Sequence, residues 1–483
     1  MPSGRSVTEI HLARIKRIAP WLVAVGFFME QLDSTILNTV VPVISRDLGV
    51  EALSMKSVVT TYTLSLAVFI PVSGWVADRF GTRKVFRAAV ALFTLGSLLC
   101  GASVSLGMMV ASRVLQGIGG AMMTPVGRLV LVCTFPREDL MRVMNFVVIP
   151  ALVAPMIGPF LGGLIVQWLP WRTIFFVNLP IGLVGWHLVG RYMPDHRDPA
   201  VPPLDTWGFL LFGTGVGLLS YVLEVFGEHD QPVGLIIAMT IASVLLLTAY
   251  AVHARWITHP LLPIRLLATR TFRISVIGGF ITRIGVAGMP FLLPLLYQLG
   301  MGYTPLQAGL FTVPQAFGSI GMKVLSTRLV ALFGFRKVLR TNTVLLGMNI
   351  MAFALIGPGA SIVAILLLSL LQGVFSSLQF TCINTLVYAD VDDRQASEAN
   401  TIAATFQQMA RGFGVAVASL VAAAFLAGHA TDGQAAAYAT GLQYTFLVLG
   451  AATILSEWAF TGLRRYDGVN VSGNVVVAKL KGG

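Results

Sequence analysis

Two carboxylates three residues apart, Glu30 and Asp33, lie in GFFMEQLDSTILNTVVPVI (Gly26 to Ile44), a segment otherwise apolar enough to cross a bilayer. An acid at the bilayer centre costs about 2.5–3.5 kcal/mol on insertion scales. Both acids therefore belong on a face turned to protein or water, and a spacing of three keeps them on one side of a helix. A basic partner is at hand in ASRVLQGIGGAMMTPVGR (Ala111 to Arg128), where Arg113 sits deep in apolar sequence with Gln116 one turn on. An arginine that moves toward or away from a carboxylate switches its proton affinity. Asp33, Glu30 and Arg113 are thus the candidate proton-coupling residues, a minimal apparatus for tying a proton to a conformational change. A static buried ion pair is the alternative reading of the same residues.

The elements that must position these groups are membrane spans. The chain has 483 residues, 56% of them hydrophobic and only 11% charged, where soluble domains carry about 25% charge. The mean hydropathy is +0.80. The net charge of +12 would point to nucleic acid in a soluble protein, but here the basic residues fall in loops beside apolar stretches. A span needs about 20 mostly apolar residues. Fourteen such stretches are expected, near 18–44, 55–77, 85–104, 107–133, 140–167, 172–192, 205–226, 232–253, 272–299, 305–331, 337–356, 360–388, 395–427 and 438–463. Loops on the N-terminal side hold most of the Lys and Arg, including Arg79, Arg83 and Lys84, while the opposite loops hold only Arg46, Lys56 and Arg172. Under the positive-inside rule both termini are cytoplasmic. No small-residue cleavage site follows the N-terminal basic segment, so the first span is expected to be retained.

The sequence also repeats itself. GTRKV (Gly81 to Val85) returns 253 residues later as GFRKV (Gly334 to Val338), and LQG (Leu115 to Gly117) returns 256 residues later at Leu371 to Gly373. Two matches in near register argue for a parallel duplication of a six-helix unit. The expected organisation is a six-helix bundle at 1–198, two inserted transmembrane helices at 199–262, and a second six-helix bundle at 263–483. Adding the repeat offset to Glu30 gives Arg283, so the halves are expected to present an acid and a base across one central cavity, with Arg411 as a second buried cation. Asn38, Gln116, Arg283 and Arg411 are the candidate substrate-cavity residues.

Three motifs carry a family resemblance. GWVADRFGTRK (Gly74 to Lys84) resembles the signature loop of the major facilitator superfamily, G-x-x-x-D-R-x-G-R-R/K, departing from it at Thr82. Gly74 permits close helix contact, Gly81 a left-handed turn, and Asp78 can accept hydrogen bonds at a helix N-terminus. With Arg79 and Arg83 these form an expected cytoplasmic gating latch, contacting either Ser397 to Asn400 or the acidic loop Ala389 to Arg394. The segment around Arg113 is similar to the superfamily's fourth-helix motif. VAPMIGPFLGG (Val153 to Gly163) resembles the antiporter motif G-x-x-x-G-P-x-x-G-G at Gly158, Pro159, Gly162 and Gly163, with Ala154 in place of the first Gly. EQLDSTILNTVVP, with Asp33 at the acid position, is similar to the first-helix motif of the drug:proton antiporters, and fourteen spans match the EmrB/QacA-like subfamily. The resemblance covers nearly the whole chain.

It implies an all-α integral membrane protein of the major facilitator fold, with two pseudo-symmetric six-helix bundles and two extra helices. It implies proton-coupled efflux of small amphipathic compounds by alternating access in the bacterial inner membrane. No cofactor is expected, the proton gradient being the drive. The expected partners are a small-molecule substrate, protons and the lipid bilayer, with no nucleic acid; a monomer suffices and a periplasmic adaptor is left open. A dedicated exporter of one metabolite or organic anion is the nearest alternative, and a mixed-charge cavity leaves zwitterions and anions open. An enzyme is disfavoured: the seven histidines show no H-x-x-x-H spacing, no nucleophile elbow or phosphate-binding Gly-rich loop occurs, and the cysteines (Cys100, Cys133, Cys382) show no metal-ligand spacing.

Overall fold

The computed structural model describes residues 7–198, 200–225, 232–392, 395–428 and 434–469. Among them there is no strand. In chain order the helices are α1 (Val7–Asp47), α2 (Lys56–Phe80), α3 (Thr82–Gly101), α4 (Leu106–Thr134), α5 (Arg137–Trp168), the short α6 (Thr173–Phe176) and α7 (Asn178–Tyr192). They continue with α8 (Thr206–Val225), α9 (Val233–Trp256), α10 (Arg270–Ala287), α11 (Met289–Leu295), α12 (Pro305–Ala352), α13 (Ile362–Leu386), α14 (Ala396–Ala427) and α15 (Gln434–Leu455). In a bilayer only structures that satisfy their own backbone can span, which is why apolar runs of this length fold as helices.

Twelve helical stretches among the described residues are long and apolar enough to cross a membrane. The expected spans at 18–44 and 305–331 are helical but are not among the twelve. Glu30, Gln31, Asp33 and Asn38 dilute the first, and Gln307, Gln315, Lys323 and Arg328 the second. Hydropathy averages over all faces of a helix, so a segment with one polar face scores low however apolar the rest. The loop expected between residues 331 and 337 shrinks to a single kink: α12 runs 48 residues and breaks only at Gly334 (φ 74°, ψ 157°). Its counterpart Gly81 takes φ 95°, ψ 136° between α2 and α3. Both repeats of the G-x-R-K-V sequence thus place glycine at a positive φ that residues with a Cβ avoid.

One apolar cluster closes the end of the bundle remote from the N-terminus. It joins Ile36 to Ile44 of α1 and Leu53 to Val58 with Phe291 to Tyr297, Phe311 of α12 and Val415 and Ala418 of α14. Gln298 reinforces it by donating to the Thr39 carbonyl at 2.8 Å. Helices α8 and α9 pack on each other, and α8 packs on α2 and α14. Ser243 of α9 donates to the Gly215 carbonyl of α8 at 2.8 Å, the kind of inter-helix hydrogen bond that holds spans together in lipid.

Candidate functional site

Asp33 and Arg113 meet. Arg113 Nη1 donates to Asp33 Oδ2, and both side chains are almost wholly enclosed. Asp33 Oδ1 accepts from Gln116 Nε2 at 2.9 Å and from Asn178 Nδ2 at 3.3 Å. Asn178 also donates to Ser97 Oγ, and Arg113 to Gln116 Oε1 at 2.7 Å. The rings of Tyr62 and Phe175 cover the guanidinium at 5.3 and 5.1 Å, a cation–π arrangement. Helices α1, α3, α4 and α7 therefore share one polar network. Helix α4 can come this close because a Cβ on Gly119 would lie 2.6 Å from the Phe93 amide nitrogen of α3. Small residues on facing helices are the usual means of such approach in membranes.

Glu30 belongs to a different environment. Its Oε2 accepts from Thr124 Oγ1 at 2.5 Å, and the cations that act on it are Arg411 and Arg128. The expected pairing of Glu30 with Arg283 across the cavity is not formed. Arg283 instead donates to Asn384 Oδ1 at 3.1 Å and lies over the Phe380 ring at 4.4 Å. The repeat offset relates sequence positions, but rotation of each helix about its axis decides which neighbour a side chain meets.

Two connected recesses lie between the helices. The larger, about 320 Å³, is lined by Asn38, Arg283, Asn384 and Arg411 together with Phe291 and Phe380. The smaller, about 210 Å³, holds Glu30, Thr124, Arg128, Asn400 and Arg411. Gln31, Gln407 and Arg411 line both. Among the described residues, none of α8 or α9 lines either one. Of the four expected cavity residues, Asn38, Arg283 and Arg411 are there, whereas Gln116 belongs to the Asp33 network. A third recess, about 620 Å³ and edged by Arg336, Lys337 and Arg465, contains none of these residues.

The antiporter-motif residues sit where α5 meets α1 and the second half of the chain. A Cβ on Gly158 would strike Thr35 Oγ1, and one on Gly163 the Pro305 carbonyl oxygen. Conversely, a Cβ on Gly309 of α12 would lie 2.5 Å from the Pro159 carbonyl oxygen. Gly162 packs on the Ile36 carbonyl in the same way.

The signature loop holds a different partner from the one expected. Arg83 N–H donates to Asp195 Oδ1 at 3.0 Å and its Nε to the Met193 carbonyl at 2.6 Å. Thr82 N–H donates to the His196 carbonyl, and Asp198 N–H to the Asp78 carbonyl. The loop thus clasps the strap at residues 193–198 after α7, not Ser397 to Asn400; Asp393 and Arg394 of the alternative acidic loop lie outside the described residues. Gly74 faces open space rather than a neighbouring helix, and Arg79 is exposed. Asn400 Oδ1 instead accepts from Arg128 at 3.4 Å and from Tyr388 at 3.1 Å. Thr124 and Arg128 were legible as a continuation of the α4 face bearing Arg113, Gly117 and Gly120, at helical spacing. Asn178 carried no such signal.

Residues 23–415 match the Major Facilitator Superfamily. Among curated proteins, "Putative multidrug resistance protein MdtD" of Serratia proteamaculans is 38% identical over 440 residues, 91% of this chain and 92% of that protein. The protein of the same name from Pectobacterium carotovorum is 39% identical over 88% of this chain and 91% of its own length. Among solved structures, a bacterial homologue of the human lysosomal transporter Spinster, inward-facing and unoccupied, superposes with a TM-score of 0.66 at 14% identity, covering 98% of this chain and 99% of that one. A D-xylose–proton symporter gives 0.65 at 14% identity, covering 93% and 98%. With a family match over most of its length and the helical architecture to go with it, this chain belongs to the Major Facilitator Superfamily and is a multi-pass membrane transporter.

Proposed function

We propose that the chain is a proton-coupled antiporter that exports small amphipathic compounds by alternating access, with Asp33 as the proton-carrying residue and Arg113 as its switchable partner. The observation that carries this reading is the enclosed Asp33–Arg113 pair, set in α1 and α4 one turn from residues that line the cavity. The relatives' name, multidrug resistance, agrees with export. Counting α1 and the first limb of α12 as spans brings the total to fourteen. The division is then 1–198, an insertion at 199–262, and 263–483. Both termini lie in the cytoplasm of a bacterium whose inner membrane holds the protein, as the basic loops indicate.

In that orientation the apolar cluster around Phe291 and Val41 closes the outer side, and the recess at Arg128 and Asn400 is the inner vestibule. A proton arriving at Asp33 neutralises the carboxylate and frees Arg113, whose buried charge then needs a new partner. That imbalance is what favours the other arrangement of the halves. Motif glycines at the α1–α5–α12 contact let the halves rock without a side chain to shear. The clasp of Arg83 on the 193–198 strap ties the inner ends of α3 and α7. Glu30 is the cavity charge that tunes which compounds are accepted.

Reconstituted vesicles with an imposed proton gradient test this. Wild-type protein accumulates an amphipathic dye with counter-flow of protons, and Asp33→Asn binds the dye but does not concentrate it. Glu30→Gln changes the order of preference among dyes more than the proton flux. Gradient-driven accumulation that survives Asp33→Asn would overturn the assignment.

A further inference from the structure

The proposed transport function leaves the chemistry of the cargo open, and the charges of the cavity speak to it. The larger recess is lined by two guanidiniums, Arg283 and Arg411, and by no carboxylate. Glu30, the one acid nearby, lines only the smaller lobe, where its Oε2 is taken up by Thr124. Across both lobes one carboxylate therefore faces three arginines, Arg128, Arg283 and Arg411. The Asp33–Arg113 pair is self-neutralising and does not redress this.

The two cavity arginines are also short of partners. Arg283 is 6% exposed, yet among the described residues its only side-chain acceptor is the neutral amide of Asn384; its other bond goes to the Gly279 carbonyl of its own helix at 3.4 Å. Arg411 makes no hydrogen bond or ion pair among the described residues and remains accessible from the recess although it lies mid-helix in α14. Both guanidiniums line the same recess. Among the described residues Glu30 is the acid that acts on Arg411, and none acts on Arg283; like charges at membrane depth with so little counter-charge are costly, and an anion placed between them offsets that cost. Asn38, 7% exposed and on the cavity wall, leaves its Oδ1 without a donor. Phe291, Phe380 and Val286 supply an apolar wall beside these groups.

We propose that the cavity binds an amphipathic carboxylate, its anionic end gripped between Arg283 and Arg411 and its apolar body laid against Phe291 and Phe380. This names the class of compound carried and rests on the transport reading above. Arginine suits the task because its planar fork presents paired donors to a carboxylate.

Three probes of one shape separate the charges: 2-naphthoate, its neutral methyl ester and 2-naphthylmethylammonium, titrated calorimetrically into the full-length protein in detergent. Naphthoate binds most tightly to wild type. Arg283→Gln and Arg411→Gln each weaken it about 10- to 100-fold, while the ester is unaffected, which also reports that the variants are folded. Arg411→Lys retains most of the affinity. Equal or tighter binding of the ammonium, naphthoate affinity unmoved by both substitutions, or no naphthoate binding at all would each overturn the clamp. Transport in vesicles keeps the two readings apart. Proton-driven movement of the ammonium but not naphthoate overturns the clamp and leaves antiport standing. Arginine-dependent naphthoate binding without any response to a proton gradient supports the clamp and overturns antiport.

Discussion

Replacing Asp33 with Asn should both destabilise the protein and silence its proton exchange, and the size of the first effect follows from the network. Asp33 Oδ2 serves Arg113, while Oδ1 serves Gln116 at 2.9 Å and Asn178 at 3.3 Å. All of the donors are fixed, so an amide at this position must turn its NH₂ toward one of them. If its oxygen stays with Arg113, the two bonds from the Gln116 and Asn178 amides are lost; if it turns to the amides, the bond from the guanidinium is lost. Each of these ends on a charged carboxylate, and such bonds are worth about 1.5–3 kcal/mol. Arg113, 1% exposed, is left with an uncompensated charge, and breaking a buried pair from one side costs about 3–5 kcal/mol in all. We expect about 3–4 kcal/mol, since the amide retains one acceptor. Asp33→Asn with Arg113→Met removes the stranded charge and should recover most of that loss, a coupling that a double-mutant cycle measures directly. Neither variant should release a proton on substrate binding in weakly buffered detergent solution. Equal stability of the single and double variants would show that Asp33 does not compensate Arg113. Wild-type proton release by Asp33→Asn would show that the proton is carried elsewhere.

Three further outcomes follow from local geometry. Gly163→Val places a side chain against the Pro305 carbonyl and the Leu306 backbone, so it should reduce vesicle transport at least about tenfold, by analogy with overpacking costs of 1–3 kcal/mol, while the protein still inserts in the membrane. Asp205 caps α8 through Gly208 N–H at 2.8 Å and also holds Leu261 N–H and His253; Asp205→Ala should lower stability by about 2 kcal/mol, seen as earlier thermal unfolding without change in the substrate preference of the residual activity. At the C-terminal end of α1, hydrogen bonds from Trp171 and then Arg172 lower the pKa of Asp47. A lowered folded value means its stabilisation is complete above the unfolded carboxylate range near pH 3.9 and fades as pH falls through the folded value. Asp47→Asn should therefore flatten the acid limb of a stability–pH curve and leave the curve above pH 6 unchanged in slope.

Much of the fold was legible because bilayer physics is severe. Apolar length marks the spans, and the glycine that opens each G-x-R-K-V repeat marks a turn that the structure makes at Gly81 and Gly334 with positive φ. Of the two stretches missing from the apolar set, 18–44 turns Gln31, Ser34 and Asn38 to the cavity, and α1 is the helix that bears the candidate chemistry; in 305–331 Gln315 lines the recess while Gln307, Lys323 and Arg328 are exposed. In α1, low hydropathy is a signature of an inward-facing polar surface rather than of a shorter helix.

The sequence alone determined the class of protein, the residues too expensive to leave in lipid, and the Asp33–Arg113 partnership, since few buried acids and bases are available and each must find an opposite charge. Tertiary structure alone decided who faces whom at finer grain. Glu30 turned from Arg283 to Thr124 and the neighbourhood of Arg411, Arg83 closed on Asp195 and Met193 rather than on α14, and Asn178 joined the Asp33 network from 145 residues away. The reason is geometric: composition and spacing fix which face of a helix a residue occupies, but its partners depend on the rotation and tilt at which helices distant in sequence pack, and those are set by close contacts such as Gly119 on Phe93.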